Sequence, residues 1–223
     1  MQVMLLDIEG TTTPIDFVYQ TLFPYARKRL DEFVSTRLDD ADLKQLDIEY
    51  RNDSTASKPD WQIPPILYLN WLMEQDRKSP VLKSIQGKIW KSGYEDGSLK
   101  GEVFPDVVPA MKRWQSQGQR VAIYSSGSLL AQKLLFKYNR FGDISKMIDS
   151  YFDTEVGPKK EAASYIEIAR RLNVPTGGIL FISDSAAECA AAEKAGCSVH
   201  YSVRPGNNIE QVSFERIENF EEI

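Results

Sequence analysis

Apolar positions along the chain fall into two textures. Short unbroken runs, Val3 to Leu6, Val121 to Tyr124 and Ile179 to Ile182, read as parallel strands buried on both faces. Each run ends in polar residues: Asp7 after the first, Ser125-Ser126-Gly127-Ser128 after the second, Ser183-Asp184-Ser185 after the third. The second and third runs lead into helical stretches, one through Leu129, Leu130 and Leu134, the other alanine-rich and closed by Gly196 at a C-cap. Cys197 to Val203 reads as a further strand, stopped by Pro205-Gly206. Strands alternating with helices predict a doubly wound parallel sheet, the α/β class.

Between these runs the texture changes. From Phe17 to about Gly101 the apolar residues take helical spacing: Tyr25, Leu30, Phe33 and Val34, then Ile66, Leu67, Leu69 and Leu72, then Leu82, Ile85, Ile89 and Trp90. This predicts an inserted helical domain over 16–99, punctuated at Ser57-Lys58-Pro59 and Pro64-Pro65, with Gly93, Gly97 and Gly101 as candidate hinges. The remainder, 1–15 and 100–223, is then one discontinuous core domain. The aromatics Tyr19, Trp61, Trp71 and Trp90 are expected in the core of the insert rather than against a substrate.

Composition narrows the chemistry. With 32 Asp+Glu against 27 Lys+Arg, a net charge of -5 argues against a nucleic-acid binder, which needs a basic face. Two cysteines and one histidine, His200, exclude a cysteine zinc site and paired-histidine catalysis within one subunit. No apolar stretch approaches membrane length, and the first residues, broken by Asp7 and Glu9, lack the pattern of a secretory signal. A monomeric cytoplasmic or nuclear enzyme running on carboxylates, hydroxyls and amines is the expectation.

Ligands bind outside the carboxyl ends of parallel strands, so the residues that end them meet. Those residues are Asp7 and Glu9, Ser125 and Ser126, and Asp184 with Glu188 a helical turn later; Lys159, after Gly157-Pro158, is placed to reach the same edge. Taken singly, Asp184 and the serines also suit helix N-caps, and Lys159 with Lys160 suits a solvated pair. Together the four carboxylates demand a cation, since two charges about 4 Å apart repel by roughly 4 kcal/mol at an effective dielectric of 20. Oxygen-only ligands point to Mg²⁺ shared with a substrate phosphate.

The D-x-[DE]-G-T start, the strand-end serine, the lysine and the D-S-x-x-E resemble the four motifs of the haloacid dehalogenase superfamily of phosphatases. DIEGTTTPIDFV, QGKIWKSGYEDGSLKGEVFPDVVPA, YSSGSLLAQKLLF, GPKKEAASY and VRPGN resemble, more closely, its enolase-phosphatase (acireductone synthase) family of methionine salvage. The resemblance implies Asp7 as nucleophile and Mg²⁺ ligand, Glu9 as the second catalytic and metal-site acid, and Asp184 as the distal metal ligand. It implies substrate binding by Ser125, Ser126 and Lys159, and action of Glu188 through a metal-bound water. It implies a helical cap and one substrate, 2,3-diketo-5-methylthiopentyl 1-phosphate, enolised and then hydrolysed to acireductone and phosphate. Two other readings remain: a general small-metabolite phosphatase of the same fold, and a phospho-accepting regulatory domain, whose lysine would follow the last motif and which would lack the insert.

Overall fold

The computed structural model describes residues 2–61, 65–75, 77 and 79–223. The chain separates into two compact units, Met1–Tyr19 with Lys100–Ile223, and Gln20–Leu99. It opens with β1 (Val3–Leu6) and continues into α1 (Phe23–Thr36), α2 (Asp40–Asn52), α3 (Pro65–Glu74) and α4 (Pro80–Glu95). It returns through α5 (Val107–Ser116), β2 (Arg120–Tyr124), α6 (Leu129–Lys137), β3 (Ser150–Phe152) and α7 (Ala162–Leu172). Then come β4 (Ile179–Ser183), α8 (Ala186–Lys194), β5 (Ser198–Ser202) and β6 (Arg216–Ile217). No helix of the described residues is long and apolar enough to cross a membrane.

In the first unit the strands form one sheet in the order β3-β2-β1-β4-β5-β6, every pair parallel. The chain winds outward from β1 to β3, then resumes on the other side of β1 with β4, so the order reverses at β1. That reversal opens a crevice at the strand ends, the usual ligand position in such sheets. All of β1 and β4 is buried, as two-face burial requires of unbroken apolar runs. Leu5, Tyr124, Tyr165, Phe181 and Ala192 join one core on this sheet. The two strands without a sequence signal, β3 and β6, have three and two residues, too few for periodicity to register. At the end of α8, Gly196 takes φ +91°; its N–H reaches Glu193 O and that of Cys197 reaches Ala192 O, a Schellman cap.

Among the described residues the second unit holds the four α-helices α1 to α4. Ala26, Leu30 and Phe33 of α1 are buried at helical spacing, as are Val81, Leu82, Ile85, Ile89 and Trp90 of α4. Ser79 caps α4 by accepting from Leu82 N at 3.0 Å, and Trp90 Nε1 donates to Leu22 O at 2.8 Å. Trp61 and Trp71 are half-buried in a ring cluster with Tyr50 and Tyr68, but Tyr19 is 60% exposed and falls in the first unit, not in the core of the insert. The expected glycine hinges also need correction. A Cβ on Gly93 would collide with the Tyr25 ring, and one on Gly101 with Leu135 O, so both are glycine for close packing. Of these three glycines, Gly97 combines a positive φ, +80°, with open space. Pro64 of the Pro64-Pro65 break lies outside the described residues.

Candidate active site

Leu6 pairs with Ile123 on one side and Ile182 on the other, which brings Asp7, Ser125 and Ser183 to one edge. Asp7 is buried and held on every side. Its N–H donates to Ile182 O at 3.0 Å; Oδ1 accepts from Ile8 N at 2.8 Å and Lys159 Nζ at 2.6 Å; Oδ2 accepts from Ser183 Oγ at 2.8 Å. The loop beyond it is compact: the N–H groups of Thr11, Thr12 and Thr13 all converge on Ile8 O, and Thr12 Oγ1 donates to Asp7 O at 3.1 Å. Gly10 in this loop has φ +66°, which favours glycine.

Lys159 arrives from a loop in which three successive carbonyls are engaged. Tyr124 OH donates to Gly157 O, Ser164 Oγ to Pro158 O and Tyr165 OH to Lys159 O, at 2.7–2.8 Å. Gly157 takes φ +139° where a Cβ would strike Ser164 Oγ. The side chain of Lys159 is 8% exposed and pairs at 2.6 Å with both Asp7 Oδ1 and Glu188 Oε2, while Lys160 is exposed. A solvated lysine pair is therefore excluded.

Ser125 is buried at the end of β2; its Oγ donates to Glu9 Oε2 at 3.4 Å and accepts from Gly127 N at 3.2 Å. Ser126 follows in the same turn and is exposed. The cap of α6 is Ser128, which accepts from Ala131 N at 3.3 Å. The cap position of α8 is Ser185, without a side-chain capping bond, so Asp184 is not spent on capping. Its carboxylate instead packs against Gly10, where any Cβ would collide with Oδ2.

Four acids, Asp7, Glu9, Asp184 and Glu188, face one ammonium here. Burial first, then Asp7, pushes Asp184 up to about 7; the same causes in the same order push Glu188 up to about 7 and raise Glu9. Burial opposes the charge on Lys159, but Asp7 and Glu188 outweigh it and hold the ammonium above its usual range. Among the described residues no three His, Cys, Asp or Glu side chains form a preassembled metal cluster. The donor set nonetheless fits a hard divalent cation: every group is oxygen, and the carboxylates exceed the positive charge available.

The haloacid dehalogenase-like hydrolase family matches residues 1–196. An enolase-phosphatase E1 of Synechococcus elongatus is 49% identical over 99% of this chain and 96% of its own length. One of Leptospira borgpetersenii is 46% identical over 92% and 90%. The crystal structure of the UTR4 protein of Saccharomyces cerevisiae superposes with a TM-score of 0.81 at 34% identity, covering 100% of this chain and 99% of that one. The chain belongs to the enolase-phosphatases, a branch of the haloacid dehalogenase-like hydrolases.

In this enolase-phosphatase three further residues brace Asp7 and the loop that follows it, and the sequence alone did not assign them. Ser183 shares one hydroxyl proton between Asp7 Oδ2 and Glu188 Oε2 (3.1 Å), and accepts from Ser185 N. Arg204, buried, donates from Nε to Thr11 O at 3.1 Å and grips Asp106 with two bonds of 3.0 and 2.8 Å. Asn207 Nδ2 donates to Gly10 O at 2.8 Å. The only trace of the last two in the sequence is the VRPGN block, whose role depends on contacts nearly 200 residues away.

Proposed function

We propose that this enolase-phosphatase converts 2,3-diketo-5-methylthiopentyl 1-phosphate to acireductone and phosphate in methionine salvage, as a cytoplasmic monomer. The observation that carries the reading is Asp7: a buried carboxylate at the sheet's reversal point, oriented by Ile8 N, Lys159 and Ser183. Phosphate monoesters hydrolyse so slowly unaided that dividing the displacement through a covalent carboxylate intermediate is a large gain.

Asp7 attacks phosphorus; the bond from phosphorus to the enol oxygen breaks, and an aspartyl phosphate remains. Glu9, which burial and Asp7 incline to hold a proton, donates it to the leaving oxygen. Water then attacks the phosphorus with Glu9 as base, releasing phosphate and restoring the Asp7 carboxylate. Lys159 meets the equatorial phosphoryl oxygens, while Ser125 and Ser126 bind the substrate. Asp7 and Asp184 would hold Mg²⁺ through their carboxylates, joined by Glu9 when it is ionised, with Glu188 acting from one shell further out. When bound, the ion supplies positive charge against the phosphoryl group and the enolised carbonyl. The residues 16–99 serve as a cap that excludes water.

The deciding experiment incubates the purified protein with the diketo phosphate and follows enediol absorbance and phosphate release together. The reading predicts both signals. Phosphate release from many monoesters without preference for this one would instead favour a general phosphatase.

A further inference from the structure

Asn207 carries a side-chain oxygen that nothing satisfies. Its Nδ2 donates to Gly10 O at 2.8 Å and to Ser202 O at 3.3 Å. Both partners are carbonyls, which only accept, so the amide can be oriented in one way alone and Oδ1 must point away from them. That Oδ1 is buried and has no hydrogen-bond partner. Where it points is marked by Gly10: the position a Cβ would occupy there lies 2.9 Å from Asn207 Oδ1 and in collision with Asp184 Oδ2. Two side-chain oxygens, Asn207 Oδ1 and Asp184 Oδ2, thus approach the same spot. A buried acceptor is normally paired, so a group bearing donors belongs there.

We propose that Asn207 is a positioning residue of the divalent-cation site, its Oδ1 accepting a hydrogen bond from a water of the hydrated ion held by Asp184. Mg²⁺ suits this role because it keeps several waters, and their protons are the donors that the orphan oxygen lacks. The inference rests on the reading of Asp7, Glu9 and Asp184 as metal-holding. It gives Asn207 two tasks on two atoms: Nδ2 fixes the Gly10 peptide, and Oδ1 orients the ion's hydration. Ser202 performs only the first, donating from Oγ to the same Gly10 O at 3.0 Å.

That division supplies the test. Mg²⁺ is titrated calorimetrically into the full chain without substrate, for wild type, Asn207→Ala, Asn207→Ser, Ser202→Ala and Asp184→Asn, and melting is measured in chelator. Loss of an outer partner of a metal site typically costs 10–100-fold in affinity, so Asn207→Ala and Asn207→Ser should each weaken Mg²⁺ binding by about tenfold or more. Ser202→Ala should lower the metal-free melting temperature but leave Mg²⁺ affinity at the wild-type value. If Ser202→Ala weakens Mg²⁺ as much as Asn207→Ala, Asn207 acts only through the Gly10 peptide and the proposal is overturned. Wild type that binds Mg²⁺ and loses it with Asp184→Asn, beside an Asn207→Ala of normal affinity, brings down this inference alone. Wild type that takes up no Mg²⁺ brings down the metal reading together with it.

Discussion

The ammonium of Lys159 lies 2.6 Å from Asp7 Oδ1, although the two residues are 152 positions apart in the chain. Both are buried, at 8% and 6% side-chain exposure, so the pair is shielded from the screening that makes surface ion pairs weak. Glu188 Oε2 stands at the same 2.6 Å, which makes Lys159 the counter-charge of the acid cluster.

Lys159→Ala should therefore injure the fold as well as the chemistry. Removing one partner of a buried pair typically costs about 3–5 kcal/mol, because the remaining charge is left uncompensated. Urea denaturation should show a loss of that order at neutral pH in chelator, and phosphate should bind more weakly. Unchanged stability with unchanged phosphate affinity would remove Lys159 from both roles.

Asp7→Asn should fold, since the amide oxygen still accepts from Ile8 N and Lys159, and Lys159 keeps Glu188 at 2.6 Å as its counter-charge. It should lose turnover by about a thousandfold or more, as removal of a nucleophile does elsewhere. Phosphate release by a variant with a native circular dichroism spectrum is the measurement; near-normal rates would end the nucleophile assignment.

The raised carboxyls give the metal-free protein a defined pH response. Asp184 rises from 3.8 to about 7 and Glu188 from 4.5 to about 7, so between about pH 4 and 7 the native state binds more protons than the unfolded chain. Stability from these groups is therefore present at the acid end and lost as pH rises through that window. In chelator, melting temperature should fall across it less steeply for Asp184→Asn than for wild type, and the rise in melting temperature on adding Mg²⁺ should grow over the same range. Parallel slopes for the two proteins would contradict the raised Asp184.

Glu9→Asp retracts the carboxyl by about one methylene from Ser125 Oγ, and a displacement near 1 Å can cost about 100-fold in a positioned reaction. Phosphate release should slow to that extent while exchange of the substrate's carbon-bound proton with deuterium oxide continues. Should both fall in step, Glu9 serves the enolisation as well as the leaving group.

Arg204→Lys keeps the charge but loses the fork that holds Asp106 twice while donating to Thr11 O. A stability loss of about 1.5–3 kcal/mol is expected from charged hydrogen bonds of this kind. Because the loop from Ile8 to Thr13 is then less well fixed, turnover should drop more than substrate affinity. A stability loss with intact turnover would confine Arg204 to the fold.

The amino-acid sequence alone determined the four inner strands of the sheet, β2, β1, β4 and β5, and the acids at their edge. Val3–Leu6 and Ile179–Ile182 are unbroken apolar runs, and only a strand covered on both faces buries every residue of such a run, so Asp7 and Asp184 had to emerge at strand ends. The helix Leu129–Lys137 was legible too, since the apolar spacing of Leu129, Leu130 and Leu134 is local. Tertiary structure alone decided which of two lysines is buried, for Lys159 and Lys160 are chemically alike and only the loop held by Tyr124, Ser164 and Tyr165 turns one of them inward. It likewise decided that Gly93 and Gly101 pack rather than bend, and that Arg204 and Asn207 brace a loop at the far end of the chain. Local propensity acts over a few residues; these roles depend on atoms that meet only after the strands have paired.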